Sequence, residues 1–473
     1  MKIHIDVAPD NKKNILTLLE EQGYSLPCNC HGAHLCNGKN YTFDCAAVPH
    51  APLEVELPAG NHTIRSIALE ELTPQPGSAD TLLVDLGTTT IALCLIQKKG
   101  GRLRQSTTFA NPQARFGADV IARIEAATSG AGSELQRCIT DGLKKETAHL
   151  CQRNRQTVSD LRHCYIGGNT TMIHLLMGFD CASLGRSPFA IQKPSPEPFA
   201  YNSCQIHIAP WISAFVGGDI TAGLSACGMD ASQPATLFVD LGTNGEMVLA
   251  HDGVFYATAT SAGPAFEGGG LSCGCPGIPG AICHVHLRRL NPILETIDNK
   301  LPIGLCGSGA ISLCAELVRQ NYITAESILT DQFPEDGMLL SYDSQGHALR
   351  FTADDLRNVQ LAVAAIAAGI DTLLQEAKLT FDKINQLYLG GGFGYYISLK
   401  DCDTLGLFSG IPASHITVLG NTCLRGLYQW AFAGQTVCTP DTCHTVNLAD
   451  HPYFKKQFIN HMCFPSITPK NNK

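Results

Sequence analysis

Two short stretches hold the residue types best suited to chemistry. Asp85-Leu-Gly-Thr-Thr-Thr90 and Asp240-Leu-Gly-Thr-Asn-Gly245 share the core Asp-Leu-Gly-Thr. Glycine lets the backbone approach an anion closely, the amides beside it can cradle phosphate, and a carboxylate can hold a hydrated magnesium ion. One such turn is usually just a hairpin. Two matching copies imply two related lobes with a phosphate site between them.

The elements around each copy agree with that reading. Leu82-Leu83-Val84 and Leu237-Phe238-Val239 precede the turns, and apolar runs at 91–96 and 246–249 follow them. Such runs read as buried strands, so each copy predicts a strand ending in Asp, a tight turn and a returning strand. Further glycine-bearing strand ends fall at 167–171, 217–219 and 390–394. At Tyr165-Ile-Gly-Gly-Asn-Thr-Thr-Met172 and Phe215-Val-Gly-Gly-Asp219, a strand end is expected to open into a helix. Residues 117–128 read as an amphipathic helix with Val120, Ile121 and Ile124 on one face. Gly304-Leu-Cys-Gly-Ser-Gly309 opens a helix, and Thr352 suits the N-cap of a long apolar helix over 353–377. Strands follow at 386–389 and 415–419, and Gly420-Asn421-Thr422 starts a helix reaching about Phe432. The loop 261–270 is too glycine-rich for a strand or helix, and long loops of that kind are functional or disordered.

Residues 1–72 differ in character. A strand at 2–7, a helix at 11–22 and a strand at 53–57 flank the Cys/His-rich loop Pro27-Cys-Asn-Cys-His-Gly-Ala-His-Leu-Cys-Asn-Gly-Lys39 and Asp44-Cys45. The division expected is a small domain 1–72, a linker 73–80, lobe I at 81–230, lobe II at 231–433 and a packing tail at 434–473. A chain of 473 residues has room for these. The net charge of −9 argues against nucleic acid or an anionic membrane as partner. The sequence shows neither a secretory signal core nor a stretch long and apolar enough to span a bilayer. Its 21 cysteines then read as thiols of a reducing cytoplasm, most of them small buried hydrophobes.

The order of the glycine turns resembles the acetate kinase, sugar kinase, heat-shock chaperone and actin superfamily of ATPases. The fold this implies is a two-lobed, RNase H-like α/β core preceded by a small α+β ferredoxin-like (β-grasp) domain. The finer set is Asn169-Thr-Thr-Met172, Gly217-Gly-Asp219, Asp240-Leu-Gly-Thr-Asn-Gly-Glu246, Ala262-Gly-Pro-Ala-Phe-Glu267, Cys306-Gly-Ser-Gly309, Gly391-Gly-Phe-Gly394 and Gly420-Asn421-Thr422. It looks like the reductive activators of corrinoid proteins over about residues 81–465. The resemblance implies ATP and Mg2+ as ligands, with Asp85 and Asp240 as the magnesium and phosphate carboxylates. Thr88, Thr89, Thr243 and Asn244 would line the phosphates, with Gly87, Asn169, Gly218, Gly242 and Gly245 among the binding positions. Gly390, Gly391 and Gly392 would back the adenosine. Asp219 would position the attacking water or merely start a helix, and Glu246 would assist the site or be a plain strand residue.

The small domain departs from the family pattern. Plant-type 2Fe–2S domains use C-x4-C-x2-C with a distant fourth cysteine, and the corrinoid activators show C-x5-C-x2-C. Cys30 and Cys36 keep the x5 spacing and Cys45 stands where the fourth ligand should, but the third position is Lys39, which cannot ligate. With Cys28 as substitute, the set Cys28, Cys30, Cys36 and Cys45 could hold a 2Fe–2S cluster. A zinc site using His31 or His34 and a domain without metal remain alternatives. Cys273 and Cys275 read as structural.

The joined domains imply an ATP-driven, one-electron reduction of a cobalt(II) corrinoid protein of a methyltransferase system by an external low-potential donor. The sequence does not show the oligomeric state, and a homodimer is one assembly open to it. The rivals are a small-molecule kinase, for which no substrate base is evident, and a nucleotide switch. A chaperone-like switch would need a peptide-binding domain, and the tail is too short for one.

Overall fold

The computed structural model describes residues 2–5, 7, 12–13, 15, 18, 48–49, 53–56, 77–117, 119–187, 189–192, 204–391, 396–408, 410–433 and 443–465. The chain divides into two compact units, 1–72 and 73–473. In the first, β1 (Lys2–Ile5) pairs antiparallel with β2 (Leu53–Glu56). Cys28, Cys30, Cys36, Lys39 and Cys45 lie outside the described residues, as does most of 11–22.

The second unit is built from two related sheets. In lobe I, β3 (Thr81–Leu86), β4 (Thr90–Gln97) and β5 (Arg102–Ala110) form an antiparallel meander. The short helix α1 (Val120–Ala126) and the long helix α2 (Gly132–Arg153) follow. Then β6 (His163–Gly168) joins β3 in parallel, α3 (Thr170–Met177) follows, and β7 (Gln205–Ile208) joins β6. The sheet order is β5-β4-β3-β6-β7. Helix α4 (Gly218–Cys227) leaves the lobe.

Lobe II repeats the plan. Its meander is β8 (Thr236–Leu241), β9 (Asn244–His251) and β10 (Val254–Ser261). An insertion carries β11 (Ala281–Arg288), β12 (Asn291–Thr296), β13 (Gly304–Leu305), α5 (Gly307–Arg319), β14 (Met338–Tyr342), β15 (Ala348–Phe351) and α6 (Ala353–Glu376). Strand β16 (Gln386–Gly390), helix α7 (Leu399–Leu405) and strand β17 (Ile416–Gly420) complete the pattern, and α8 (Thr422–Ala433) leaves it. The order is β17-β16-β8-β9-β10-β18, where β18 (Cys443–Thr445) comes from the tail. The central strands β3 and β8 are covered on both faces, which is why they read as unbroken apolar runs.

The tail does more than pack. β18 extends the lobe II sheet in parallel beside β10, and α9 (Pro452–His461) ties to α6 through His461 Nε2, 2.8 Å from Asp371 Oδ2. Thr352 caps α6 as expected, with Asp355 closing the reciprocal bond: Thr352 N donates to Asp355 Oδ2 at 2.8 Å. By length and composition α6 could cross a membrane, contrary to the expectation that no stretch is long and apolar enough. Yet 78% of its apolar window is buried, among Leu356, Val363, Ile366 and Ile370 of the lobe II core.

Two further expectations need correcting. Phe215-Val216 is not a strand end: β7 stops at Ile208, and 209–216 bend back so that Ile212 N and Ser213 N both donate to Val216 O. In α1, Ile121 is 50% exposed while Arg123 is fully buried. The helix is too short to form an apolar stripe, and Arg123 goes inward because Gly117 O and the Met172 sulfur receive its nitrogens.

The lobes exchange helices. α4 leaves lobe I yet packs Ile220, Leu224 and Cys227 against Phe238, Val248 and Ala257 of lobe II. α8 leaves lobe II yet lies on β3 and β6 of lobe I. The two helices cross so closely that a Cβ on Gly426 would stand 1.7 Å from the Ala222 carbonyl oxygen. Gly426→Val should therefore force the helices apart and cost about 2–3 kcal/mol. A circular-dichroism melt checks this, and an unchanged midpoint would mean that the crossing tolerates separation.

Candidate functional site

The repeat in sequence becomes a repeat in register. Asp85 is the fifth residue of β3 and sits opposite Ala92 on one side and Gly167 on the other. Asp240 is the fifth residue of β8, opposite Glu246 and Gly390. Glycine at the neighbouring strand end leaves room for whatever approaches the Asp. A Cβ on Gly167 would meet Cys423 Sγ at 2.6 Å, and one on Gly390 would meet Thr422 Oγ1 at 2.8 Å and Asp240 Oδ2 at 2.9 Å. Both helix starts, of α4 and α8, enter the same gap.

The gap is a cleft of about 580 Å3, a size suited to a nucleotide. It is lined by Asp85, Gly87, Thr88, Thr89, Asn169 and Asp219 from lobe I and α4, and by Asp240, Gly242, Thr243, Asn244 and Gly391 from lobe II. Three expected positions stand behind its wall instead. Gly218 packs on the Ala209 carbonyl, Gly245 on the Ile366 side chain, and Gly390 between Thr422 and Asp240. Gly392 lies outside the described residues.

Several lining residues had been named by sequence without the contacts that they make. Asn421 Nδ2 donates to Asp85 Oδ2 at 2.7 Å, and Thr422 Oγ1 donates to Asp240 Oδ2 at 3.3 Å, so the start of α8 touches both aspartates. Gly420-Asn421-Thr422 had stood in the motif set, without a role. Thr243 Oγ1 donates to the exposed Glu267 at 2.6 Å. Asn169 Nδ2 donates to Thr88 Oγ1 at 2.8 Å, which leaves the Thr88 hydroxyl proton to donate elsewhere.

Comparison with known proteins agrees with this geometry. Residues 234–472 match the model of the C-terminal domain of RACo, the ASKHA domain, and residues 81–232 match that of the RACo middle region. The chain belongs to the RACo family. It is 29% identical over 80% of its length to the corrinoid activation enzyme RamQ of Eubacterium limosum, covering 69% of that protein. It is 28% identical over 47% of its length to the [Co(II) methylated amine-specific corrinoid protein] reductase of Methanosarcina barkeri, covering 44% of it. A solved structure of a reductive activator for corrinoid, iron-sulfur protein superposes with a TM-score of 0.74 at 25% identity, covering 99% of this chain and 79% of that one. The ASKHA ATPase fold is thus established for the two lobes.

The RACo cleft of this chain is strongly acidic. Asp85, Asp219, Asp240, Glu246 and Glu267 line it, and among the described residues no Lys, Arg or His does. Burial and then the charges of Asp240 and Asp85 push the Asp219 carboxyl up to about 7, and burial followed by Asp85 does the same to Asp240. Burial raises Asp85 as well, partly offset by hydrogen bonds from Asn421 and Cys423, and Glu246 lies well above the usual range. Acids crowded without a cationic side chain fit a hydrated divalent ion with a polyphosphate, whose charge the metal and backbone amides balance. Among the described residues no three metal-ligating side chains gather closely enough to hold an ion directly, so water would complete its shell. By contrast Cys164, Cys227, Cys314 and Cys402 are buried free thiols whose pKa burial raises, and they carry no such chemistry.

The acids make a pH prediction. Folded-state pKa values raised from 3.8 to about 7 mean that the native protein binds protons which the unfolded chain releases. The stability from this source is fully present below about pH 4 and is lost as pH rises through 7. In EDTA, the melting midpoint should fall from pH 5 to 8, and Asp219→Asn should flatten the fall and raise the midpoint at pH 8 by about 1–3 °C. A lower midpoint for this variant at pH 8 would refute electrostatic strain at Asp219.

Proposed function

We propose that the chain is an ATP-dependent reductive activator that delivers one electron to the cobalt(II) corrinoid of a partner protein in a methyltransferase system, the electron coming from an external low-potential donor. The observation that carries this is RACo membership over both lobes, joined to an acidic cleft whose two Asp-Leu-Gly-Thr turns stand on different lobes. The named activities of RamQ and of the methylated-amine corrinoid reductase support the same reading.

Asp85 and Asp240 would hold a hydrated Mg2+ against the phosphates, and Thr88, Thr89, Thr243 and Asn244 would contact phosphate oxygens. Gly390, Gly391 and Gly392 would back the adenosine. Asp219 starts α4 beside both aspartates, and a pKa near 7 suits it to take a proton from the attacking water. Because each turn belongs to a different lobe, the nucleotide favours whichever lobe arrangement lets both turns reach it. That differential affinity is how ATP can bias binding of the corrinoid partner.

Cys28, Cys30, Cys36 and Cys45 would hold a 2Fe–2S cluster in a ferredoxin-like domain 1–72, supplying one-electron chemistry when bound. The proposal includes the linker 73–80, lobes 81–230 and 231–433, and the tail 434–473. It also places the chain in the cytoplasm as a homodimer, apart from nucleic acid and membrane.

The test mixes anaerobic protein, a low-potential reductant and a cobalt(II) corrinoid protein with and without ATP, and follows the cobalt spectrum. Equal rates in both cases would sink the proposal. Asp85→Asn and Asp240→Asn should each lower ATP turnover about a hundredfold while leaving the protein folded. Iron and acid-labile sulfide should be present in the anaerobic protein. Zinc alone, or no metal, would remove the electron-carrying part of the reading.

A further inference from the structure

The two phosphate turns share a sequence but are not held alike. Three asparagines converge on the first. Asn111, 1% exposed, donates from Nδ2 to Gly87 O at 2.9 Å, while its Oδ1 accepts from Gln113 N and caps the short 3-10 turn Pro112–Phe116. Asn169 donates from Nδ2 to Thr88 Oγ1, while its Oδ1 accepts from Met172 N and caps α3. Asn421 donates from Nδ2 to Asp85 Oδ2, while its Oδ1 accepts from Leu424 N in the first turn of α8. The partners settle which atom is which. Backbone N–H groups can only donate and a carbonyl can only accept, so each amide oxygen faces its helix.

The short amide side chain does both jobs from two different atoms. Serine and aspartate cap helices as well as asparagine does, but neither brings an N–H back toward the turn. The backbone of Asn111 adds a fourth tie, its N–H donating to Thr89 O at 2.8 Å. Holding the Gly87 carbonyl also orients the next amide. In a trans peptide the Thr88 N–H points opposite the Gly87 C=O, away from Asn111. Among the described residues no asparagine of this kind serves the second turn, whose Asp240 takes the Thr422 hydroxyl at 3.3 Å. The residue preceding its 3-10 turn Pro264–Glu267 is Gly263, whose N–H still donates to Thr243 O but which has no side chain to add. Thr243 is tied instead to Glu267, which is exposed.

We infer that Asn111, Asn169 and Asn421 act together as helix-capping positioning residues that preorganise the first phosphate turn, with Asn421 making its order depend on lobe II. This rests on the nucleotide reading for its functional consequence but not for its structural one, so the two are tested separately. Serine at each position keeps a capping oxygen and removes the donation to the turn. Hydrogen exchange of the amides at 87–90 in nucleotide-free protein should quicken about tenfold in Asn111→Ser and in Asn421→Ser. The melting midpoint should stay within a few degrees of wild type. With MgATP, the same variants should raise KM for ATP about tenfold. Unchanged exchange at 87–90 in both variants overturns the inference whatever the protein does with ATP. So does faster exchange spread evenly over the chain, which would show lost stability rather than lost positioning. Faster local exchange in protein whose wild type neither binds nor hydrolyses ATP would keep the inference and refute the nucleotide reading.

Discussion

Asp85, Asp219 and Asp240 bring like charge into one half-buried space, and much of the second unit can be understood as the means of holding them there. Left to themselves these acids would repel one another and draw water or protons, as their raised pKa values record. Each is therefore fixed from the backbone outward. Asp85 and Asp240 end central strands buried on both faces, and Asp219 opens a helix packed on the opposite lobe. Movement of any one acid out of the cleft would drag a strand or a helix from its core. The result is a site whose charge demands a cation and whose skeleton cannot relax without one.

The exchange of helices makes that demand cooperative. α4 carries Asp219 into lobe II's packing, and α8 carries Asn421 and Thr422 to Asp85 and Asp240. The crossing at Gly426 and Ala222 is tight enough that the helices must move as a pair. A ligand held by both turns thus acts on the whole lobe arrangement rather than on one loop, which is the property needed if nucleotide state is to be sensed by a protein partner.

How much of this was legible in sequence follows from the range over which each interaction acts. The duplicated turn announced itself because strand, glycine and aspartate are adjacent in the chain, and local chemistry dictates their arrangement. The capping box at Thr352 and Asp355 was half legible for the same reason. Asn111 was not: its partner Gly87 lies a full hairpin away, and Asn-Pro after a strand signals only a turn. Phe215-Val216 was misread because an apolar pair before two glycines fits a strand end as well as it fits the bend that feeds α4. Arg123 was missed because a buried guanidinium looks identical in sequence to an exposed one, and only Gly117 O and the Met172 sulfur explain its inward course. The strand at 443–445 was expected only as part of a packing tail, because its place at the edge of lobe II depends on β10, far away in sequence.

The unequal support of the two turns gives the internal repeat a direction. A duplicated site could bind phosphate symmetrically, but here the lobe I turn is fixed by side chains that are themselves held by bonds to the starts of two helices and a 3-10 turn. The lobe II turn is fixed by its own hairpin, by the Thr422 hydroxyl on Asp240 and by the Thr243 hydroxyl on an exposed carboxylate, an acceptor that a phosphate oxygen can replace at small cost. An anion entering the cleft therefore meets a rigid turn and an adjustable one. Rigid donors contribute binding energy without reorganisation, whereas the adjustable side converts part of that energy into motion of Glu267 and the 3-10 turn on which it sits. That turn packs directly on the start of α5, where a Cβ on Gly307 would stand 1.9 Å from the Phe266 carbonyl oxygen. With an anion held by both turns, displacement there would reach α5, and lobe II would take up the strain of binding while lobe I served as its anchor.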